Sequence, residues 1–380
     1  MIYFDNSSTT KPYKEVLDSF SKVSAEYFGN PSSLHRMGAQ AEKLLLQARQ
    51  QIAKLLNVQT NEIYFTSGGT ESNNLAIKGT ALMHKGRGRH IITTAIEHPS
   101  VRESMEQLKA MGFRISIIPV DQNGYVSVSD IEKAISTDTI LVSVMHVNNE
   151  IGSVQPIKEI GLLLKKYSKI LFHVDNVQGI GKMPLHIKDC HIDLLSISGH
   201  KFHGLKGTGL LFIRNGVKIS PLFSGGNQEQ LQRSGTENVA GIVSMAKALR
   251  LTLLDYEKHL ETMITIRDFL RSELDKLETV TIHTPTCQSA PHIINFSIKG
   301  LKAEVFVHAL EEMDIYVSTT SACSSKKQKA SGTLLAMGVS EDEAISAIRL
   351  SLSFENTLDE AKLFIEAVNI AIKRLREVMN

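Results

Sequence analysis

The chain has 380 residues, with 42 basic against 40 acidic side chains and a formal charge of +2. This length excludes a single small domain, and the near-balanced charge excludes a global field that would draw the protein to DNA, RNA or an anionic membrane. Three cysteines, Cys190, Cys287 and Cys323, show neither disulfide-framework density nor paired metal-ligand spacing, so free thiols, a reducing cytosol and no metal site are expected.

The N-terminal Met1-Ile2-Tyr3-Phe4-Asp5 turns polar at once, without a basic region and an apolar core to follow it, and no apolar run reaches membrane-spanning length. A soluble cytoplasmic protein is the expectation. Ala39 to Leu56 carries apolar residues at helical spacing. From Ile63 to Ile213, short β-rich runs alternate with helical stretches: Ile63 to Thr66, Ile91 to Ala95, Ile115 to Val120, Ile140 to Met145, Ile170 to Asp175, Leu194 to Ser198 and Leu210 to Ile213. That rhythm predicts βαβ units and a mostly parallel α/β sheet. Pro156 to Tyr167 starts with proline at a plausible first helical position. Beyond Asn238 the pattern is helical to about Leu277, then strand-like over Ile293 to Ile298, helical near Ala303 to Glu312 and strand-like over Ala347 to Ser353 before a final helix. This change of texture predicts a large α/β domain over residues 12–250, and a smaller α+β domain formed by 1–11 with 251–380.

Several motifs fall at the ends of the predicted strands. Ser198-Gly199-His200-Lys201 follows a buried run and precedes Gly204, Gly207 and Gly209, which would present the Lys201 amine at the carboxyl edge of the sheet. Such an amine suits Schiff-base chemistry with pyridoxal phosphate, although loop lysines are usually only solvated. Thr66 to Asn74 follows a strand and opens a helix with two glycines and three hydroxyls, so free N–H groups converge on an anion site rather than a plain helix cap. Neither a P-loop nor a dinucleotide fingerprint is present, which leaves the phosphate of a smaller cofactor.

Asp175 arrives at the end of a buried strand, where its charge needs a cation: a protonated pyridine nitrogen, or equally a nearby arginine or a main-chain cap. His98, after another strand, is placed to stack on a ring or move protons, or is structural. Cys323 sits in a small, polar and then basic stretch with no hydrophobic period, beside Lys326, Lys327 and Lys329, a setting that lowers a thiol pKa. In Ala347 to Ser353, Arg349 shares a polar face with Ser351 and Ser353, suited to gripping an α-carboxylate or to an inter-domain ion pair.

Taken together, Tyr3 to Thr10, Phe28 to Ser33, Thr66 to Asn74, Glu97-His98, Val147 to Gly152, Val174 to Gln178, Ser198 to Lys201, Arg233 to Thr236 and Ser321-Ala322-Cys323 occur in one order across nearly the whole chain. The set resembles the NifS/IscS group of cysteine desulfurases. The resemblance implies a fold-type-I architecture with a seven-stranded sheet, a homodimer, and pyridoxal phosphate linked covalently to Lys201. It further implies that Gly69, Thr70, Ser198 and His200 bind phosphate, with Thr236 from the partner subunit; that His98 stacks on the ring; that Asp175 pairs with the ring nitrogen and Gln178 with the phenolic oxygen; and that Asn149 and Arg349 hold the substrate carboxylate region.

Catalysis would use Lys201, His98 and Cys323, the thiol taking sulfur from L-cysteine as a persulfide, releasing L-alanine and passing the sulfur to an acceptor for iron–sulfur assembly or thiolation. Selenocysteine lyase or aminotransferase activity on the same fold, and a non-catalytic cofactor-binding platform, are the alternatives. The pattern departs from the family at Thr320, where glycine is usual, over Lys326 to Ser331, which replaces a Pro-Ser segment, and at Ser353-Phe354, where Gly-Arg is usual. The basic loop suits an acidic or RNA-linked acceptor.

Overall fold

Seven β-branched and aliphatic runs pair into one sheet in the order Ile63–Thr66, Gly209–Ile213, Leu194–Ser198, Leu171–Asp175, Thr139–Met145, His90–Thr94 and Arg114–Ile118. All pairings are parallel except those of Gly209–Ile213, which runs antiparallel to both neighbours. The chain is seen here in a computed structural model that describes residues 1–254, 256–319 and 330–379.

The central strands are buried at every position, the signature of a sheet covered on both faces. Their side chains alternate between two apolar layers. Val142, Val144, Phe172, Val174, Leu195 and Ile197 pack with Ile52 of the helix Arg36–Leu55 and Met245 of Val239–Leu253. On the other face, Leu141, Leu171 and Leu194 meet Leu75 and Ile77 of Gly69–His84 and Val101 and Met105 of Pro99–Ala110.

A second core forms around a four-stranded sheet of Ser318–Thr319, Ala347–Ser351, Ile293–Ile298 and Val280–Ile282. Phe296, Ile348 and Leu350 from that sheet pack with Phe306 and Phe364 from the helices Ala303–Glu311 and Leu358–Met379. The first residues of the chain join this core. Ile2–Tyr3 pairs in parallel with Ile315–Tyr316, and Phe4 meets Phe364 edge-on with ring centroids 5.6 Å apart, a geometry contributing roughly 0.5–1.5 kcal/mol beyond its burial. This anchoring fixes where Ser7 and Ser8 enter the large sheet's edge.

Two local expectations shift. The helical pattern from Asn238 to Leu277 is two helices, Val239–Leu253 and Tyr256–Asp275, rather than one long element. Pro156 is the N-cap of a shorter helix, Ile157–Leu164, and not its first turn; proline has no N–H to donate at either place, so the sequence signal is the same. Among the described residues no helix is long and apolar enough to cross a membrane.

Candidate active site

The carboxyl ends of five parallel strands open into a cavity of about 450 Å3. Its wall combines Gly69, Thr70, His98, Asn149, Asp175, Gln178, Ser198, His200, Lys201 and Arg349, so nearly every described site residue expected from the sequence is brought to one place. Thr236 is exposed and is not part of this wall. Cys323 and the lysines Lys326, Lys327 and Lys329 lie outside the described residues.

The strand Leu194–Ser198 ends in a tight turn, Gly199–Lys201, that projects the Lys201 side chain into the cavity. Its Nζ donates to the main-chain carbonyls of Ser7, at 2.5 Å, and Ser8, at 2.8 Å. The N-terminal segment is therefore part of the site. It is pinned from both sides: Thr10 N–H donates to the His200 carbonyl at 2.9 Å, and Ser7 N–H donates to Ser351 Oγ at 2.8 Å.

The helix Gly69–His84 opens immediately after the strand Ile63–Thr66, so its first N–H groups face the cavity without helical partners of their own. Its N-cap, Gly68, has φ 150° and ψ −177°, a region open essentially to glycine alone. A Cβ on Gly69 would stand 2.7 Å from Val177 Cγ2. Side chains are thus excluded where an anion would approach the main chain.

Asp175 ends the strand Leu171–Asp175 almost fully buried. Its carboxylate accepts from Asn73 Nδ2 at 2.7 Å and from Val177 N–H at 3.0 Å. Asn73 also donates to Ser100 Oγ at 2.9 Å, and Ser100 Oγ lies 2.8 Å from His98 Nδ1. Because His98 caps the helix Pro99–Ala110 by accepting the Ser100 N–H at Nδ1, the neutral ring carries its proton on Nε2. Burial lowers the His98 pKa from its ordinary value; Asp175 opposes this, while Lys201 and Arg102 add to it. His200 is pushed down to about 4 by burial and by the charges of Lys201, Lys206 and Lys182, and its Nδ1 lies 3.2 Å from Thr9 Oγ1.

Glu97, beside His98, is fully buried, with Oε1 accepting from Thr94 Oγ1 at 2.7 Å and Met145 N–H at 2.9 Å. Oε2 has no partner, and burial raises the pKa to about 8. Burial therefore favours the neutral acid.

Arg349 forms an ion pair, but with Asp5, which belongs with it to the expected smaller domain, so the pair is not the inter-domain one the sequence suggested. Its Nη2 contacts Asp5 Oδ1 at 3.0 Å and Ser8 Oγ at 2.6 Å, and Nη1 donates to the Asn149 carbonyl at 2.9 Å, while the buried Nε has no partner. One guanidinium thus ties the N-terminal segment to the Asn149 loop and also borders the cavity.

The polar set fits a phosphorylated pyridine. The Gly68-Gly69 cradle admits an anion, Asp175 offers a buried carboxylate to a ring N–H, Lys201 offers the amine, and buried Asn73 Oδ1 and Gln178 Oε1 are left without partners. Asn73, Ser100, Ser7 and Ser8 were not assigned roles by sequence reasoning. All lie within or beside the motif runs Tyr3 to Thr10, Thr66 to Asn74 and Glu97-His98, and only tertiary packing brings them together.

A mostly parallel sheet carrying an amine-bearing loop and a carboxylate at adjacent strand ends defines the fold-type-I class of pyridoxal-phosphate enzymes. The chain belongs to the aminotransferase class-V family, which it matches over residues 2–364. It is 48% identical over 369 residues to a NifS/IcsS protein homolog of Lactobacillus delbrueckii subsp. bulgaricus, covering 97% of this chain and 96% of that one. It is 42% identical over 378 residues to the cysteine desulfurase IscS of Dictyoglomus turgidum, covering 99% and 96%. A solved NifS-like protein superposes with a TM-score of 0.92 at 39% identity, covering 98% of this chain and 99% of that one.

Proposed function

We propose that the protein is a pyridoxal-phosphate-dependent cysteine desulfurase that converts L-cysteine to L-alanine and takes the sulfur onto Cys323. One observation carries the reading: Lys201, Asp175, His98 and the helix start at Gly69-Thr70 line a single cavity, in a chain whose relatives include a cysteine desulfurase over nearly full length. When bound, pyridoxal phosphate supplies an electron sink for the carbon atoms of the amino acid.

Each group of the chain then has a task. Gly69, Thr70, Ser198 and His200 hold the phosphate, and Thr236 of a second copy completes the anchor. Lys201 would hold the cofactor covalently, and its amine would move protons in the reaction. The Asp175 carboxylate keeps the ring nitrogen protonated, Gln178 meets the phenolic oxygen, and His98 stacks on the ring with its Nε2 proton available. Arg349 and Asn149 receive the substrate carboxylate.

The Cys323 thiolate attacks the substrate sulfur. The carbon–sulfur bond breaks, a sulfur–sulfur bond forms, and the electron pair of the broken bond stays on carbon. Two protons, one from each thiol, finish on alanine and on the new persulfide, so no external oxidant is required. An acceptor protein for iron–sulfur or thiolation chemistry then removes the sulfur. The division into domains 12–250 and 1–11 with 251–380 belongs to this proposal and is supported by the two separate apolar cores.

The test is a paired assay of alanine and sulfide from L-cysteine, with dithiothreitol present to reduce the Cys323 persulfide and release its outer sulfur as sulfide. Wild type should give both, and Cys323→Ala should give neither from cysteine. Full release of alanine and sulfide by Cys323→Ala would contradict the role of the thiol, whereas consumption of cysteine by wild type without alanine or sulfide would favour an aminotransferase.

A further inference from the structure

Lys182 is a second lysine at the back of the same site, and no step above uses it. It lies in the turn run that follows Asp175, only 4% exposed, and its Nζ donates to the main-chain carbonyl of Lys201 at 2.6 Å. Gly181, with φ +68°, turns the chain there, and a Cβ at that position would stand 2.5 Å from Thr252 Cγ2. Among the described residues no carboxylate pairs with Lys182. The titratable groups facing it are Lys201, His200, His203 and His292, and both ring nitrogens of the buried His292 lack partners. Those facing Lys201 from the cavity are Asp175, His98, His200 and Arg349.

A buried ammonium without a counter-ion is costly, and a hydrogen bond to one carbonyl offsets only part of that cost. Burial, with the charge of Lys201 added, accordingly pushes Lys182 down to about 7. The charge of each amine opposes protonation of the other. The arrangement is informative because a lysine that must react as a free base gains from a like charge in its neighbourhood.

We propose that Lys182 is a positioning residue for Lys201: its amine fixes the Lys201 main chain at the end of the turn, and its charge holds down the proton affinity of the Lys201 nitrogen. This rests on the reading of Lys201 as the residue linked to the cofactor.

The experiment follows the pH midpoint of the visible absorbance of holoenzyme in Lys182→Met, Lys182→Gln and Lys182→Arg, together with the rate at which each apoenzyme takes up pyridoxal phosphate at neutral pH. Removing the charge in Met and Gln should raise the midpoint by about one pH unit and slow uptake, while Arg should stay near wild type. A role confined to folding would lower thermal stability without moving the midpoint. Should Lys182→Met fail to fold, Lys182→Gln keeps a donor for the carbonyl and gives the same readout. An unmoved midpoint in a folded, loaded Met or Gln variant overturns the proposal. Borohydride reduction and peptide mapping separate the two readings: a label away from Lys201 defeats the linkage itself, whereas a label on Lys201 with an unmoved midpoint defeats only the role of Lys182.

Discussion

Asn73 gives both of its amide hydrogens to the site, one to the Asp175 carboxylate at 2.7 Å and one to the Ser100 hydroxyl at 2.9 Å. It couples the carboxylate that would face a ring nitrogen to the histidine that would cover the ring. Asn73→Ala frees Asp175 to rotate and leaves its charge buried with one donor fewer. Turnover of cysteine should fall roughly tenfold or more, with cofactor still bound, because a buried charge that loses a hydrogen bond forfeits on the order of 1.5–3 kcal/mol. Alanine release against cofactor content checks this, and wild-type turnover by Asn73→Ala would remove the coupling from the account.

Gly68→Ala should weaken retention of pyridoxal phosphate. Its φ of 150° and ψ of −177° are costly to any residue with a Cβ, by roughly 1–3 kcal/mol, and relief of that strain would move the helix start away from the phosphate. Dialysis of the variant holoenzyme should therefore yield apoenzyme about tenfold faster or more.

Arg49 and Glu229 form a buried pair at 2.6 Å, and Glu229 also accepts the Phe65 N–H at 2.8 Å. The pair fastens the loop that leads to Thr236 onto the strand Ile63–Thr66. Glu229→Gln strands a buried guanidinium and should cost about 3–5 kcal/mol, whereas Arg49→Met with Glu229→Leu should cost less than the sum of the two single changes. Denaturant melts of Glu229→Gln, of Arg49→Met, of Glu229→Leu and of the double variant give the comparison.

Glu97 makes stability depend on pH. Its pKa rises from 4.5 to about 8 in the fold, so the fold favours the neutral acid. The resulting stabilisation is present in full below 4.5 and is lost as pH climbs through about 8. Glu97→Gln keeps the acceptor for Thr94 and Met145 and carries no charge. Its Tm should therefore exceed that of wild type progressively more between about pH 5 and about pH 8, and by a constant margin above that. Parallel Tm curves would show that Glu97 does not titrate in this window.

Most of the sheet was legible in the sequence because its strands are continuous aliphatic runs. Leu194–Ser198 and Ile63–Thr66 fall where the pattern predicts, and the others differ by a residue or two at their ends. Position at the strand ends singled out Lys201, Asp175 and His98 as candidates, each beside a plain structural alternative, and the family resemblance supplied their expected roles. Asn73, Lys182 and the Ser7 and Ser8 carbonyls carried no such signal. Their roles come from contacts between residues up to 194 positions apart, or from main-chain atoms that every residue possesses. Arg349 shows the same limit: its alternating strand announced a polar face, but the Asp5 partner comes from the opposite end of the chain.

The central claim is that Lys201 and Cys323 act on one cysteine molecule. Mass spectrometry of the Cys323 peptide after a single-turnover mixture of holoenzyme with L-cysteine tests it most directly. The account predicts that Cys323 gains the mass of one sulfur atom while one alanine forms per sulfur gained, and that Lys201→Ala shows neither change. Alanine formed with Cys323 unmodified, or sulfur on Cys323 in the Lys201→Ala variant at the wild-type rate, would contradict it.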